Sequence, residues 1–186
     1  MNEKASARQA VRVARRERAS REGAAFREQL YALVRELGAR RVSCFVGVGD
    51  EPDSEGFLEW ARAEGVEVLL PRVVGDDALE WALLDDAPLV AGAFGIPEPA
   101  GATLGPDALA GVDLVLVPAA AVDRSGTRLG WGRGYFDRAL AAIHPPHRPP
   151  VYAVVYESEV RDSLPAEPHD APVDGAVTEL AVHRFR

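Results

Sequence analysis

Apolar strand-like runs that alternate with helical segments are the feature that most limits how this 186-residue chain can fold. The strand-like runs lie at 41–48, 66–72, 79–84, 112–117, 151–156 and 175–180. The helical segments lie at 3–19, 24–37, 57–65, 106–110, 135–143 and 158–164. A strand–helix–strand order predicts parallel pairing with right-handed crossovers. We therefore predict one α/β domain over 1–186, with a mainly parallel sheet between helices.

Three glycines stand at alternate positions in the run 128–138, RLGWGRGYFDR. Gly130, Gly132 and Gly134 carry no Cβ, so their backbone can approach an anion closely. Arg128 and Arg133 bracket these glycines and suit the oxygens of a phosphate or a carboxylate. The run therefore predicts a site for an anionic group.

The same run also carries flat apolar rings and an acid. Trp131, Tyr135 and Phe136 could stack against a planar organic group, and Asp137 could bind a metal ion. The loop between the strand at 112–117 and the helix at 135–143 has about sixteen residues, and loops of that length are usually functional or disordered. A surface loop with Tyr135 and Phe136 as core anchors is the simpler alternative.

The leading segment 3–19 combines helix-forming residues with a row of positive charge. Lys4, Arg8, Arg12 and Arg15 recur at helical spacing beside a stripe of alanine and valine. Residues 1–41 carry 11 basic and 5 acidic side chains, whereas the remainder carries 10 basic and 24 acidic ones. An acidic body argues against wrapping nucleic acid, so the basic helix suits one local anionic ligand. A solvated basic face is the alternative.

Composition and hydropathy limit the cellular compartments that fit this chain. The chain has one cysteine, which excludes an internal disulfide framework and fits a reducing compartment. Cys44 lies in an apolar strand and is expected to be a small buried side chain. No apolar run reaches the length of a membrane span, and the start of the chain lacks an apolar signal core. We expect a cytoplasmic protein that does not bind a membrane.

The segment 117–138, VPAAAVDRSGTRLGWGRGYFDR, resembles the signature of the 5-formyltetrahydrofolate cyclo-ligase family. That signature contains Val-Pro-Gly, an Asp-x-x-Gly turn and Arg-Leu-Gly-x-Gly-x-Gly-Tyr-Tyr-Asp. Two departures occur, because Ala119 replaces a glycine and Phe136 replaces the second tyrosine. The resemblance extends to the Lys4 and Arg8 pair and to the Asp50-Glu51 loop after the first strand.

The resemblance implies a three-layer α/β/α fold like that of phosphosugar isomerases and CoA-transferases. It implies ATP- and Mg²⁺-dependent cyclisation of 5-formyltetrahydrofolate to 5,10-methenyltetrahydrofolate, with release of ADP and phosphate. ATP would phosphorylate the formyl oxygen, and N10 of the substrate would then attack the activated carbon. The expected partners are the folate substrate and ATP, with no nucleic acid, and the protein is expected to be a monomer.

The resemblance also assigns candidate site residues. Those expected to bind ATP are Lys4, Arg8, Arg128, Gly130, Trp131, Gly132, Arg133, Gly134, Tyr135 and Phe136. Those expected to bind the folate are Val46, Glu51, Phe94, Trp131, Arg133, Gly134 and Tyr135. Asp137 and Asp174 are expected to meet Mg²⁺, and Lys4, Arg133 and Tyr135 are the expected catalytic residues.

Two alternatives from other classes stay open. One is a family member that binds a folate or a nucleotide without turnover, which only the missing hydroxyl at Phe136 supports. The other is an RNA-associated protein that uses the basic leading helix. His144 and His147 are separated by two prolines, which rules out a helical metal pair.

Overall fold

The computed structural model describes residues 2–18, 22–75, 78–143 and 148–185. Its α-helices are α1 Glu3–Arg16, α2 Gly23–Leu37, α3 Glu55–Ala63 and α4 Tyr135–Ala141. Its first six strands are β1 Arg41–Ser43, β2 Glu67–Val74, β3 Ala78–Leu83, β4 Val90–Ala91, β5 Pro97–Glu98 and β6 Leu114–Pro118. The other six are β7 Ala121–Asp123, β8 Arg128–Leu129, β9 Val151–Val154, β10 Val160–Arg161, β11 Gly175–Val177 and β12 Val182–Arg184. Short 3₁₀ turns lie at Ala93–Gly95, Pro106–Gly111 and Glu157–Glu159.

Seven strands form the central sheet in the order β12-β11-β9-β6-β1-β2-β3. The five inner strands pair in parallel, whereas β3 and β12 pair antiparallel at the two edges. The prediction of a mainly parallel α/β fold is therefore confirmed. All parallel strands end at the same side of the sheet, which is where ligands bind in open α/β folds.

Helices cover both faces of this sheet. Phe26 and Leu30 of α2 and Phe57 of α3 are buried against one face, together with Leu114 and other side chains of β6 that point the same way. Leu109 and Leu140 of the other layer pack against the opposite face, beside Val115 and Val117. Alternate residues of β6 thus serve two cores, as strand geometry requires. Burial of each such side chain contributes about 1.5–3 kcal/mol.

The region between β6 and α4 is more ordered than the sequence predicted. The long loop expected there contains the antiparallel β7–β8 hairpin. Asp123 holds this hairpin, because its carboxylate accepts hydrogen bonds from the backbone N–H groups of Ser125, Thr127 and Leu164. These bonds keep the pKa of Asp123 low, although burial opposes them. The hairpin delivers the glycine run to the end of β6.

Three other element predictions were wrong in detail. The segment 158–164 is not a helix, because Val160 and Arg161 pair with β7 as strand β10. The first and last predicted strands end early, at Ser43 and Val177, and strand β12 was not predicted. His144 and His147 lie outside the described residues, as do Ala19 and Ser20 at the end of the first predicted helix.

Helix α1 lies across the small sheet formed by β10, β7 and β8. Val11 packs against Ala120, Ala121 and Leu129. Its first turn is capped by Asn2, whose side chain accepts a hydrogen bond from the N–H of Lys4. Helix α1 therefore reaches the same edge of the sheet as the glycine run. Among the residues that the structure describes, no helix has the length and apolar character to cross a membrane.

Candidate active site

Two adjoining cavities open at the carboxyl ends of the parallel strands. The first, which we call the apolar cavity, has a volume of about 260 Å³. The second, the polar cavity, has a volume of about 950 Å³. Five residues line both cavities, namely Arg128, Gly130, Arg133, Gly134 and Asp137. The predicted glycine run is therefore the wall between them.

The polar cavity brings the start of α1 against the glycine run. The side chains of Lys4 and Arg8 line it together with Gly132. Arg8 Nε donates to the carbonyl oxygen of Gly130 at 2.7 Å. The sequence prediction placed these distant segments together, and the structure does so.

Lys4 is only 6% exposed and is paired with two acids from the segment that precedes β11. Its Nζ lies 2.6 Å from Glu167 Oε2 and 2.7 Å from Asp170 Oδ2. Burial alone would lower the pKa of Lys4, but the hydrogen bonds to Asp170 and Glu167 outweigh it and raise that pKa. The same bonds lower the pKa of Glu167 and, against the effect of burial, that of Asp170. Lys4 is therefore a fixed cation on the cavity wall.

The backbone of the glycine run takes conformations that favour glycine. Gly132 has φ +100° and Gly134 has φ +68°, both in the region that L side chains rarely adopt. A Cβ on Gly132 would also lie 3.5 Å from the guanidinium carbon of Arg8. The glycines thus let the loop pass closely beneath the α1 side chains.

Arg128 and Asp137 form a buried pair in the shared wall. Arg128 Nη2 lies 2.6 Å from Asp137 Oδ1, and the same oxygen accepts a hydrogen bond from the N–H of Ala171. Arg128 Nη1 also donates to Pro118 O at 3.3 Å. Arg128 is thus committed to the loop itself, and Asp137 presents its carboxylate at the edge of the polar cavity.

Asp174 does not line either cavity. One of its carboxylate oxygens pairs with Arg148 at 3.2 Å, and the other accepts a hydrogen bond from the N–H of Val151 at 2.8 Å. The structure therefore does not bring Asp174 together with Asp137 in one cavity, and a metal ion between them stays a prediction.

The apolar cavity gathers every residue that was predicted to bind the folate. Those residues are Val46, Glu51, Phe94, Trp131, Arg133, Gly134 and Tyr135, and Phe136 lines the cavity beside them. The guanidinium carbon of Arg133 lies 3.9 Å from the centre of the Phe94 ring. Phe94 is 58% exposed and has φ +58°, which is uncommon for a bulky residue. Phe94 and Arg133 thus form one rim of the cavity.

Glu51 is the acid at the inner wall of this cavity. Burial raises its pKa, and the neighbouring charge of Asp50 adds to that effect. The N–H of Val48, the charge of Arg15 and the nearby indole of Trp131 oppose it. Glu51 can therefore accept hydrogen bonds from a ligand while the surrounding groups limit the cost of its charge.

Comparison with known proteins identifies the family. The model of the 5-formyltetrahydrofolate cyclo-ligase family matches residues 1–179. This chain belongs to that family. A 5-formyltetrahydrofolate cyclo-ligase of Mycolicibacterium smegmatis is 40% identical over 148 residues, which are 77% of this chain and 75% of the relative.

Solved structures of the family have the same fold. The Aquifex aeolicus 5,10-methenyltetrahydrofolate synthetase is 30% identical and superposes with a TM-score of 0.81, covering 98% of this chain and 93% of that one. The Mycoplasma pneumoniae 5,10-methenyltetrahydrofolate synthetase is 18% identical, with a TM-score of 0.74 and coverage of 96% and 99%. The similarity to the Mycoplasma pneumoniae protein shows a shared fold and no more.

One departure from the family signature has a visible structural setting. Phe136 stands where the signature has a second tyrosine, and its ring packs edge-on against Trp81, with 6.2 Å between ring centres. The ring is partly buried in the core beneath α4. Packing of the ring is therefore retained here, whereas any hydrogen bond of a tyrosine hydroxyl is absent.

Sequence reasoning missed four charged residues of this region. Arg15 and Glu159 form a buried pair below Trp131, Asp170 holds Lys4, and Glu98 lines the apolar cavity. The partner of each lies far along the chain. Glu98 alone has a local signal, because it stands between two prolines in the Ile-Pro-Glu-Pro stretch 96–99. An acid between two prolines was the one available signal.

Proposed function

We propose that this chain catalyses the ATP- and Mg²⁺-dependent cyclisation of 5-formyltetrahydrofolate to 5,10-methenyltetrahydrofolate. The observation that carries the proposal is the shared wall between the two cavities. A polar cavity with Lys4 and Arg8 suits a triphosphate, and an apolar cavity with Glu51 suits a pterin. Gly130, Arg133 and Gly134 lie where the phosphate would meet the formyl group.

The reaction explains why two sites must adjoin. The formyl oxygen is a poor leaving group, so it first takes the γ-phosphoryl group of ATP, and ADP is formed. N10 of the same folate then attacks the formyl carbon and loses its proton, the carbon–oxygen bond breaks, and phosphate leaves. Phosphoryl transfer needs mainly positioning and charge stabilisation.

Individual residues have roles that follow from their place. Arg133 lies on the shared wall and would stabilise the charge on the phosphoryl group during transfer. Lys4 and Arg8 would hold the nucleotide phosphates on the other side. Tyr135 and Trp131 would flank the pterin, and Glu51 would accept a hydrogen bond from an N–H group of the folate.

Asp137 fits a magnesium ion better than Asp174 does. Mg²⁺ is usually held by one or two carboxylates together with phosphate oxygens and waters, and Asp137 is the acid of the predicted pair that faces the polar cavity. A bound Mg²⁺ would neutralise charge on the phosphates. Glu167, His169 and Asp170 also bring ligand atoms within 4.8 Å of one another; Lys4 pairs with both of these acids, as Arg128 pairs with Asp137.

The direction of the basic side chains of α1 argues against the RNA-associated alternative. Lys4 and Arg15 are buried, and Arg8 is bound to Gly130, so three of the four cations face the protein. A monomeric state and a cytoplasmic location stay predictions.

Turnover of 5-formyltetrahydrofolate to the near-ultraviolet chromophore of the methenyl product tests the proposal directly. We expect turnover that requires both ATP and Mg²⁺, and a loss of about 100-fold or more in kcat for Arg133→Ala, since charge-stabilising donors typically contribute at this level. Lys4→Ala is expected to collapse turnover too, with the fold retained. Arg124→Ala, on the exposed turn of the β7–β8 hairpin, is the matched control. Folate binding without turnover would instead favour the non-catalytic alternative.

A further inference from the structure

Glu98 is a buried acid whose contacts with protein donors are long. It is 7% exposed and lines the otherwise apolar side of the apolar cavity, among Leu70, Val73 and Leu79. The N–H of Val73 lies 3.4 Å from its Oε1, and Arg72 Nε lies 3.6 Å from its Oε2. Charge-assisted hydrogen bonds are normally 2.7–2.9 Å, and a carboxylate can accept about four. Glu98 therefore retains capacity for further donors.

The fold makes specific room for this side chain. Glu98 pairs with Val90 in the β4–β5 hairpin, and a Cβ on Gly92 would overlap the Glu98 carboxylate. Arg72 balances the charge from β2 and is itself held by the carbonyl oxygen of Gly101 at 2.8 Å. An acid placed at an apolar wall, with a glycine beside it and a cation behind it, indicates a binding group, because a buried carboxylate is costly unless its oxygens are well hydrogen-bonded.

Glu98 lines the apolar cavity but not the polar cavity. The shared wall runs from Arg128 of β8 to Asp137 of α4, and Arg128 contacts the end of β6. Glu98 instead contacts β2, which is separated from β6 by β1 in the sheet. A ligand in the apolar cavity that reacts at the shared wall can therefore present another of its edges to Glu98.

The proposed substrate has donors at that other end. In a pterin, N5 lies next to the carbon that leads to N10, and the 2-amino group and N3–H lie together on the opposite edge. This pair of donors matches the two oxygens of a carboxylate. Resting on the function proposed above, we infer that Glu98 binds the 2-amino and N3–H edge of the pterin and sets the orientation of the ring.

Glu51 then serves a different part of the substrate. It belongs to the loop after β1 and interacts with Trp131, next to the shared wall. Its place is near the reacting end, whereas Glu98 stands near β2 and β3. Two acids that reach one apolar cavity from different segments can fix both the position and the direction of a flat ring.

Glu98→Gln tests this inference because glutamine keeps the shape and removes the charge. We expect the KM for 5-formyltetrahydrofolate to rise about 10- to 100-fold, since a charge-assisted pair is lost, while kcat and the KM for ATP change less than about 3-fold. Arg72→Gln removes the same ion pair from the other side and leaves the carboxylate in place. A purely structural pair predicts equal effects of the two variants on KM and on Tm, and that result would overturn the inference.

A substrate analogue identifies the atoms involved. A 2-desamino-2-methyl analogue of 5-formyltetrahydrofolate should bind the parent protein about 10-fold or more weaker than the natural compound, measured as Kd by calorimetry. Glu98→Gln should show little further discrimination between the two ligands, because one interaction cannot be lost twice. If the losses of affinity caused by the analogue and by Glu98→Gln multiplied, the assignment would be refuted. Absence of turnover in the parent protein would sink the proposed function, whereas equal Kd values for the parent and Glu98→Gln would sink this inference alone.

Discussion

The buried ion pair of Arg15 and Glu159 gives a sharp prediction about stability. Arg15 is 2% exposed, and its Nε and Nη2 donate to the two Glu159 oxygens at 2.7 and 2.8 Å. Its Nη2 also donates to Ala119 O at 2.8 Å. Glu159 in turn accepts a hydrogen bond from the N–H of Tyr156 at 2.9 Å. The pair ties α1 to the segments that follow the inner strands β6 and β9.

Arg15→Met should lower the free energy of unfolding by about 3–5 kcal/mol, because it leaves the Glu159 charge buried without a partner. For a chain of this size the Tm should fall by on the order of 10 °C. The double variant Arg15→Met/Glu159→Gln should recover most of this loss, because the uncompensated charge is gone and the amide oxygen can still accept from Tyr156. Arg16→Met, on the exposed face of α1, should change the stability by less than about 0.5 kcal/mol.

Urea unfolding followed by circular dichroism measures the parent, these variants and the single variant Glu159→Gln on one scale, provided that the slope m stays constant. A loss below about 1 kcal/mol for Arg15→Met would refute the reasoning. So would a double variant that is as unstable as the sum of its two single variants, since an unpaired charge would then not be the cause.

Two further predictions concern the cavities. Burial raises the pKa of Glu51, so the folded protein holds the proton of this carboxyl group more tightly than the unfolded chain does. The ionised carboxylate therefore lowers the stability of the fold at neutral pH. This penalty disappears as the pH falls below the ordinary pKa range of a glutamate. Glu51→Gln should therefore raise the Tm relative to the parent at about pH 7.5, and should raise it by less at acid pH. The affinity for folate should fall. Thermal melts at the two pH values test the sign, and an equal Tm shift at both would contradict the prediction. Gly132→Ala should raise the KM for ATP by about 10-fold or more, because the φ of +100° disfavours alanine by about 1 kcal/mol or more and the backbone that faces the polar cavity must shift, with the folate Kd nearly unchanged; Gly101→Ala, outside the polar cavity, is the control.

The sequence predicted those features that depend on local pattern. Uninterrupted apolar runs identified the inner strands, since strands buried on both faces need no polar alternation. The signature located the glycine run, and with it the side of the sheet where both cavities open. The β7–β8 hairpin was missed because its strands have only three and two residues, too few for a periodicity to be read.

Features that depend on distant partners could not be predicted. Arg15 occupied a position in a regular basic row, and its burial follows from Glu159, which is 144 positions away. The segment 158–164 had helical composition, but pairing of Val160 with Val122 decided its conformation. Asp174 was assigned by resemblance alone, and its contacts with Arg148 and Val151 come from the packing of β9 beside β11.

Helix α1 contacts both cavities, which its row of basic residues does not indicate. Lys4 lies in the polar cavity, and Arg15 stands about 16 Å further along the same rigid rod, with its guanidinium carbon 5.0 Å from the centre of the Trp131 ring that lines the apolar cavity. Any tilt of this rod shifts contacts in both compartments at once. A ligand that tilts α1 from one cavity would therefore change the affinity of the other cavity, and linkage requires that this influence be equal in both directions.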